Sequence, residues 1–312
     1  MLRFILQRLF WFIPTVLAMT AITFVIMELT PGSPFDTGNA QGITPEMIAQ
    51  LEQLYGLDKP VWQRFLLYVW NSLHGDFGMS YSYRPQQVAD IIQRTFPVSL
   101  ALGTMATVFA IVLGMSLGIL AAVNQNGFLD YVSVTVSILF YSMPNFVMGG
   151  ILILVLVVWL PDHGIDLGLR PSGWDTPRDW IMPVIALGAA PLATLARFTR
   201  SSMIDVIRSD YVRTARAKGL AERKVILKHV LKNALIPVVT LIGPIFAAIG
   251  TGSFFVENIF NVPGMGHFYV DSMQSKDQTM ILAVTLVYGV FLAAMSLIVD
   301  ILYSVIDPRI RF

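Results

Sequence analysis

The sequence predicts an all-α membrane protein of about six transmembrane helices with both chain ends on the cytoplasmic side. A large extracytoplasmic loop is expected after the first helix, and a cytoplasmic helix–Gly–helix segment between the fourth and fifth. Three observations predict this. Of 312 residues, 55% are hydrophobic and only 13% are charged, too apolar and too charge-poor for an ordinary soluble domain. Apolar runs of about 20 residues, enough to cross a hydrocarbon core, recur along the chain. The charges collect between those runs rather than inside them. The absence of cysteine excludes a disulfide framework and any thiolate metal site. A net charge of +1 predicts no global attraction to nucleic acid.

Residues 1–30 form the expected first span. Leu9 to Leu29 is apolar apart from threonine and Glu28, and Arg3 and Arg8 precede it, so the N-terminus is expected inside. The run continues past Ala18 and Ala21, longer than a signal peptide's apolar region, and predicts an uncleaved helix. Glu28, just before Pro31, reads as an acid snorkelling to the interface, with a functional role as the alternative. Residues 31–97 are the expected extracytoplasmic loop, opened by Pro31, Gly32 and Pro34. Within it Thr44-Pro45-Glu46 reads as a helix start, with Met47, Leu51 and Leu54 on the apolar face. A second amphipathic stretch, Val61 to Leu73, carries Trp62, Phe65, Tyr68 and Trp70, aromatics suited to the membrane–water interface. His74 and Asp76 could be read as a catalytic pair, but no third partner stands nearby.

The transmembrane core is expected over 98–305, with 306–312 as a cytoplasmic tail. The second span, 98–122, contains Gly114 and Gly118, a G-x-x-x-G that permits close helix approach. The third, from about Tyr131 to Leu160, is interrupted by Tyr141-Ser142-Met143-Pro144-Asn145. Proline there bends the helix and frees a carbonyl, so Tyr141, Met143 and Asn145 mark either a pathway wall or a packing irregularity. An outer loop from Pro161 to Trp180 follows, then a fourth span from Ile181 closed by Arg197 and Arg200. The fifth is expected from about Ala234 to Phe255 and the last from about Thr279 to Val305. With this topology seven Lys and Arg lie outside (Lys59, Arg64, Arg84, Arg94, Arg170, Arg178 and Lys276) and the other fourteen of 21 inside, as the positive-inside rule requires.

Several chemistries drop out. The histidines at 74, 163, 229 and 267 are widely separated and form no ligand motif. The chain carries no G-x-x-x-x-G-K-[ST] phosphate loop, so it is not expected to hydrolyse ATP. Acids are scarce in mid-span, which disfavours a self-sufficient secondary transporter or intramembrane enzyme.

The stretch from Ser209 to Pro237 is polar and basic between apolar flanks, with Arg213, Arg216, Lys218, Arg223, Lys224, Lys228 and Lys232 against Asp210 and Glu222. It reads as two helices joined at a corner. Ser209 or Asp210 would cap the first and Gly219 would end it; the second would run from about Ala221 to Leu235. There Ile226/Leu227, Val230/Leu231 and Ala234/Leu235 recur at a spacing of four and would share one side. Thr214, Ala215, Ala217 and Gly219 form a face of small residues that suits helix-in-groove docking. The alternative is a plain basic loop obeying the positive-inside rule.

The run Tyr211-Val212-Arg213-Thr214-Ala215-Arg216-Ala217-Lys218-Gly219, with Lys232-Asn233-Ala234-Leu235-Ile236-Pro237 after it, resembles the coupling loop of ABC importer permeases of the dipeptide/oligopeptide branch. His74-Gly75-Asp76-Phe77-Gly78 resembles a loop signature of the same branch. So does Val256 to Gly266, with its Glu257, Phe260 and Pro-Gly-x-Gly. The superfamily's Glu-Ala-Ala triplet falls on Arg213-Thr214-Ala215, so its glutamate is missing here, and its later proline falls on Lys232. The resemblance implies a permease subunit of a binding-protein-dependent importer in the cytoplasmic (inner) membrane of a bacterium or archaeon. It implies a homologous second permease, two ATP-binding subunits holding ATP and Mg, an extracytoplasmic solute-binding protein and surrounding membrane lipid, with no nucleic acid and no cofactor on this chain. It assigns ATPase docking to Arg213, Thr214, Ala215, Arg216, Ala217, Lys218, Gly219, Leu220 and Glu222, and makes Tyr141, Met143, Asn145, Glu257 and Phe260 candidates for the path. Peptides are the implied solute; oligosaccharides, nickel chelates and glutathione are the alternatives.

Overall fold

A computed structural model describes residues 2–31, 53, 56–83 and 85–306. The helix start at Thr44 to Glu46, the face of Met47, Leu51 and Leu54, and the tail from Asp307 lie outside the described residues. Twelve helical segments are described. In order they are α1 (Leu2–Leu29), α2 (Val61–Leu73), α3 (Val88–Val123), α4 (Phe128–Ser142), α5 (Asn145–Asp162), α6 (Ile181–Ile207) and α7 (Asp210–Ala217). They continue with α8 (Glu222–Ala234), α9 (Ile236–Ile249), α10 (Phe254–Ile259), α11 (Met265–Ser275) and α12 (Gln278–Ile306). Five are long and apolar enough to cross a membrane: Ile5–Leu29 of α1, α3, α5, α6 and Gln278–Ile301 of α12. With the apolar α9, which the more polar α8 leads into through a 50° bend at Leu235, counted as well, the total is six, in keeping with the all-α, about-six-span expectation.

The chain divides into two compact units, Met1–Val98 with Pro263–Ala293, and Ser99–Val262 with Ala294–Phe312. In the first, Asp277 is fully buried and ties two loops together. Its carboxylate accepts from the Ser80 hydroxyl, from Ser82 N at 3.1 Å, from Thr279 Oγ1 at 2.8 Å and from Met280 N at 3.2 Å. Nearby, the Tyr83 phenol donates to Asp271 at 2.8 Å, and burial together with that carboxylate pushes its pKa up. His74 and Asp76 do not meet as a pair. The His74 ring bonds its own helix at Trp70 O, and Asp76 Oδ1 accepts from Gly78 N at 2.9 Å, so both shape the turn after α2. Glu28, at the end of α1, pairs with Arg64 at 3.0 Å.

In the second unit the G-x-x-x-G of α3 is a packing surface. A Cβ on Gly114 would stand 2.6 Å from Leu192 O of α6, and one on Gly118 2.5 Å from Ala196 O. The two helix backbones therefore touch along two turns, which no larger residue allows.

The third span is broken where the sequence expects it, α4 ending and α5 starting around Pro144. Met143 before the proline is extended, at φ −95° and ψ 122°, as steric conflict with the proline ring demands. The fifth span stops at Ile249 instead of Phe255, because the chain turns at Gly252, whose φ of +79° is open to glycine. The second helix of the basic segment is not one regular α-helix: Val225–Val230 is π-helical. Widening the turn places Val225 and Val230, five apart, on the buried side, and leaves Leu227 55% exposed although the four-residue spacing puts it inside.

Gly118→Leu should lower stability by about 1–3 kcal/mol through overpacking, read as a drop in the thermal midpoint in detergent. Gly150→Leu, where nothing lies within 4 Å of the added Cβ, should change it little.

Candidate coupling corner and path residues

The corner begins where α6 ends. Ser209 has the extended backbone of an N-cap, φ −71° and ψ 152°, but its hydroxyl donates to Val206 O at 2.6 Å. The expected capping of α7 by Ser209 or Asp210 side chains is therefore not made; the serine hydroxyl instead joins its own N–H, at 3.1 Å, on the Val206 carbonyl at the C-terminus of α6. The C-terminus of α7 follows the expectation. Gly219 has φ +75°, its N–H reaches Arg216 O at 2.9 Å, and Leu220 N reaches Ala215 O at 3.4 Å. That is the two-bond Schellman closure, which needs a left-handed residue at Gly219. Arg216 and Glu222 then bridge the corner, with Nε to Oε2 at 3.1 Å and Nη2 to Oε1 at 2.6 Å. The Arg216 guanidinium holds the Glu222 carboxyl below the usual carboxylate range. Its contribution is present at neutral pH and is lost as pH falls through that lowered value. Both groups face solvent, at 38% and 57% exposure, so the bridge orients more than it stabilises.

Under the corner lies an apolar base. Val212, Ala215, Val225, Val230 and Ala234 pack with Met203 and Ile204 of α6 and with Ala122 of α3, every one at most 8% exposed. Polar ties add to it: Asn233 Nδ2 to Tyr211 Oη at 2.8 Å, and Ser202 Oγ to Ala234 O at 2.7 Å. Arg213, Thr214, Arg216, Ala217, Lys218 and Gly219 are exposed, Leu220 is half-buried, and Glu222 is exposed. Ala215 is not on the outward face with the other small residues; it is 6% exposed and belongs to the base.

A second cluster surrounds the Pro144 break. Asp130, at the start of α4, takes two hydrogen bonds from Arg200 of α6, at 2.6 and 2.8 Å, and one from Asn126 N at 2.9 Å. At the other end of α4, the Arg197 guanidinium lies 4.2 Å from the centre of the Tyr141 ring. Two arginines one turn apart on α6 thus grip both ends of α4. Beyond the break Asn145 Nδ2 donates to Ser253 Oγ at 3.2 Å, Phe146 and Phe255 approach at 5.8 Å, and Met143 is half-buried. Tyr141, Met143 and Asn145 therefore share one neighbourhood. Glu257 and Phe260 lie inside the unit, fully buried and 1% exposed. The Glu257 carboxyl sits against Gly252, where a Cβ would overlap Oε1. Phe260 O accepts from Gly173 N at 2.9 Å, and its ring faces Gly149 of α5. These two residues hold the 250–262 turn in place. Sequence reasoning missed Asp130 and the pairing role of Arg200. The available signal was an acid at one span boundary with an arginine at another, since such charges pair inside a membrane protein.

Removing Asp130 strands a guanidinium that is only 28% exposed, so Asp130→Ala should cost about 2–4 kcal/mol. Arg216→Ala breaks an exposed bridge and should cost less than about 1 kcal/mol. Reversible unfolding in mixed micelles compares the two; equal costs would contradict the difference in burial.

The profile of the family described as "Binding-protein-dependent transport system inner membrane component" matches residues 114–312, and that of its N-terminal counterpart matches residues 1–103. The dipeptide transport system permease protein DppB of Lactococcus lactis subsp. cremoris is 43% identical over 312 residues, covering all of both chains. The oligopeptide transport system permease protein OppB of Haemophilus influenzae is 42% identical over 315 residues, again covering all of both. Among solved structures, the inward-facing MetNI methionine ABC transporter aligns with a TM-score of 0.52 at 16% identity, over 70% of this chain and 96% of that one. An amino acid ABC transporter aligns at 0.50 and 15%, over 68% and 92%. At such identity these two speak for the fold alone. The full-length relatives and the matching profiles establish that the chain belongs to the family of inner-membrane components of binding-protein-dependent transport systems.

Proposed function

We propose that this chain is one membrane permease subunit of an ATP-driven importer of di- and oligopeptides, working by alternating access in a bacterial inner membrane. The named specificity of the full-length relatives supports the peptide assignment. The absence of any phosphate loop supports ATP hydrolysis on separate subunits, with ATP and Mg held there. A homologous second permease, two ATPases and an extracytoplasmic solute-binding protein complete the assembly.

The observation that carries the reading is the corner at 209–222. A rigid apolar base joins it to α6, and a basic ridge of Arg213, Thr214, Ala217, Lys218 and Gly219 projects outward. A passive loop needs neither the Schellman closure nor the Arg216–Glu222 bridge. A segment that receives a push from an ATPase needs both, because a soft corner absorbs displacement instead of passing it to α6. The ridge enters a groove on the ATPase on the cytoplasmic side, the helix-in-groove mode. Tyr141 and Asn145, beside the Pro144 break, are the path candidates best sited to respond, because α6 grips α4 through Arg197 and Arg200.

Gly219 separates this role from packing. Nothing lies within 4 Å of a Cβ added there, so a substitution crowds no neighbour in the chain and acts on the left-handed conformation. Gly219→Asn, which tolerates that conformation, should keep most transport. Gly219→Val should lower peptide uptake per ATP hydrolysed by about tenfold, within the usual span of coupling energies. The measurement is uptake and ATPase rate in proteoliposomes holding the whole complex. An unchanged ratio for Gly219→Val would overturn the reading.

A further inference from the structure

Helix α2 has two unlike sides. One packs inside the first unit. Phe65 meets Phe24 of α1 edge-on at 5.4 Å, and the Arg64 guanidinium stands 5.8 Å from the Phe24 ring centre. Arg64 also pairs with Glu28 at 3.0 Å and donates to Gln278 Oε1 of α12 at 3.0 Å. The other side carries Trp62, Leu66, Trp70 and Leu73, exposed by 67%, 57%, 63% and 76%. At 3.6 residues per turn these four fall within about 80° of arc, in one stripe. No ionisable residue interrupts it; Gln63, Arg64 and Asn71 lie on the flank and the opposite side.

Length decides how such a helix meets a bilayer. Its 13 residues span about 20 Å, short of the roughly 30 Å hydrocarbon core, so it does not cross. Its depth follows from Glu28, which stands at the end of α1, where the apolar run stops before Pro31. A carboxylate–guanidinium pair is stable where water and headgroups reach it, which places Arg64, and α2 with it, at the level where α1 leaves the hydrocarbon. That end of α1 itself exposes apolar side chains, Ile22, Val25, Ile26 and Leu29, by 50–77%, on the side of the helix away from Phe24. Two tryptophans in it supply the amphipathic rings that favour this boundary.

We propose that α2 lies along the membrane–water interface, with Trp62, Leu66, Trp70 and Leu73 inserted among lipid glycerol and upper acyl groups. The occupant of the stripe is lipid, because the Arg64–Glu28 pair holds α2 at the depth where α1 leaves the hydrocarbon and because the stripe holds two tryptophans and no charge for a polar partner to read. Insertion makes α2 a float for α1: through the Arg64–Glu28 pair it sets how deep the first span sits. The inference requires only that α1 spans a membrane and stands or falls independently of what the protein transports.

The chain has no cysteine, so a single label introduced into it before assembly has no background on this subunit. Leu66→Cys, Trp70→Cys and Asn71→Cys, each carrying a nitroxide, are placed in the full-length chain, assembled with its partner subunits in phosphatidylethanolamine/phosphatidylglycerol nanodiscs. Collision with oxygen and with a water-soluble nickel chelate is then compared by electron paramagnetic resonance. At positions 66 and 70 oxygen should relax the label several-fold more strongly than the chelate, at shallow depth, and at 71 the order should reverse. Chelate dominance at 66 and 70 would mean a solvated face, and shielding from both reagents a protein partner; either overturns the proposal. If a label disturbs assembly, lipids brominated near the glycerol give a second reading on Trp70→Phe. The tryptophan emission lost in that variant should be the part those lipids quench in the unaltered protein, and emission untouched by them overturns the proposal equally.

Discussion

Everything at the candidate coupling corner depends on one apolar contact, the packing of Val212, Ala215, Val225, Val230 and Ala234 onto Met203 and Ile204. A polar, basic segment between two apolar helices has no reason of its own to hold a shape. Burying five side chains from both arms of the corner gives it one, and each of the three fully buried valines, Val212, Val225 and Val230, contributes on the order of 1.5–3 kcal/mol. The charged groups then decorate a frame that apolar burial has set. Arg216–Glu222, half in solvent, fixes the angle at the tip and adds little to the total.

The same helix that carries the corner also carries Arg197 and Arg200. Their contacts with Tyr141 and Asp130 differ in kind: one is a cation over a ring, the other a two-bond pair with a carboxylate only 4% exposed. The second is the stiffer. It ties the start of α4 to α6, and beyond the Pro144 break Asn145–Ser253 and the Phe260 ring against Gly149 hold α5. The π-helical turn at Val225–Val230 belongs to the same logic, since it keeps the returning arm's apolar residues on the base although its α-helical register would rotate them away.

Much of this was legible in the residues, for local reasons. Span number followed from length and hydropathy, and the G-x-x-x-G of α3 from the absence of side chains at Gly114 and Gly118. The end of α7 at Gly219 followed from the conformation only glycine enters cheaply. The misreadings concern choices among alternatives that tertiary contact makes. Ser209 had two possible hydrogen-bond partners, and the end of α6 took it. Ala215 and Leu227 sat on plausible faces in an ideal helix, but the base took the first and the π turn rotated out the second. Asp130 and Arg200 lie 70 residues apart, and no periodicity links them. Glu257 and Phe260, put forward as path candidates, are buried beside the 250–262 turn, a placement that residue type alone does not carry.

The central claim is that the ridge beyond this base is seated in an ATPase subunit. A photo-crosslinking side chain at Ala217, which is exposed and outside the apolar base, tests it in the assembled complex. The account predicts a dominant adduct with the ATPase whose yield changes between nucleotide-free and ATP-bound states. Adducts with lipid or the solute-binding protein, or none with the ATPase in any state, would contradict it.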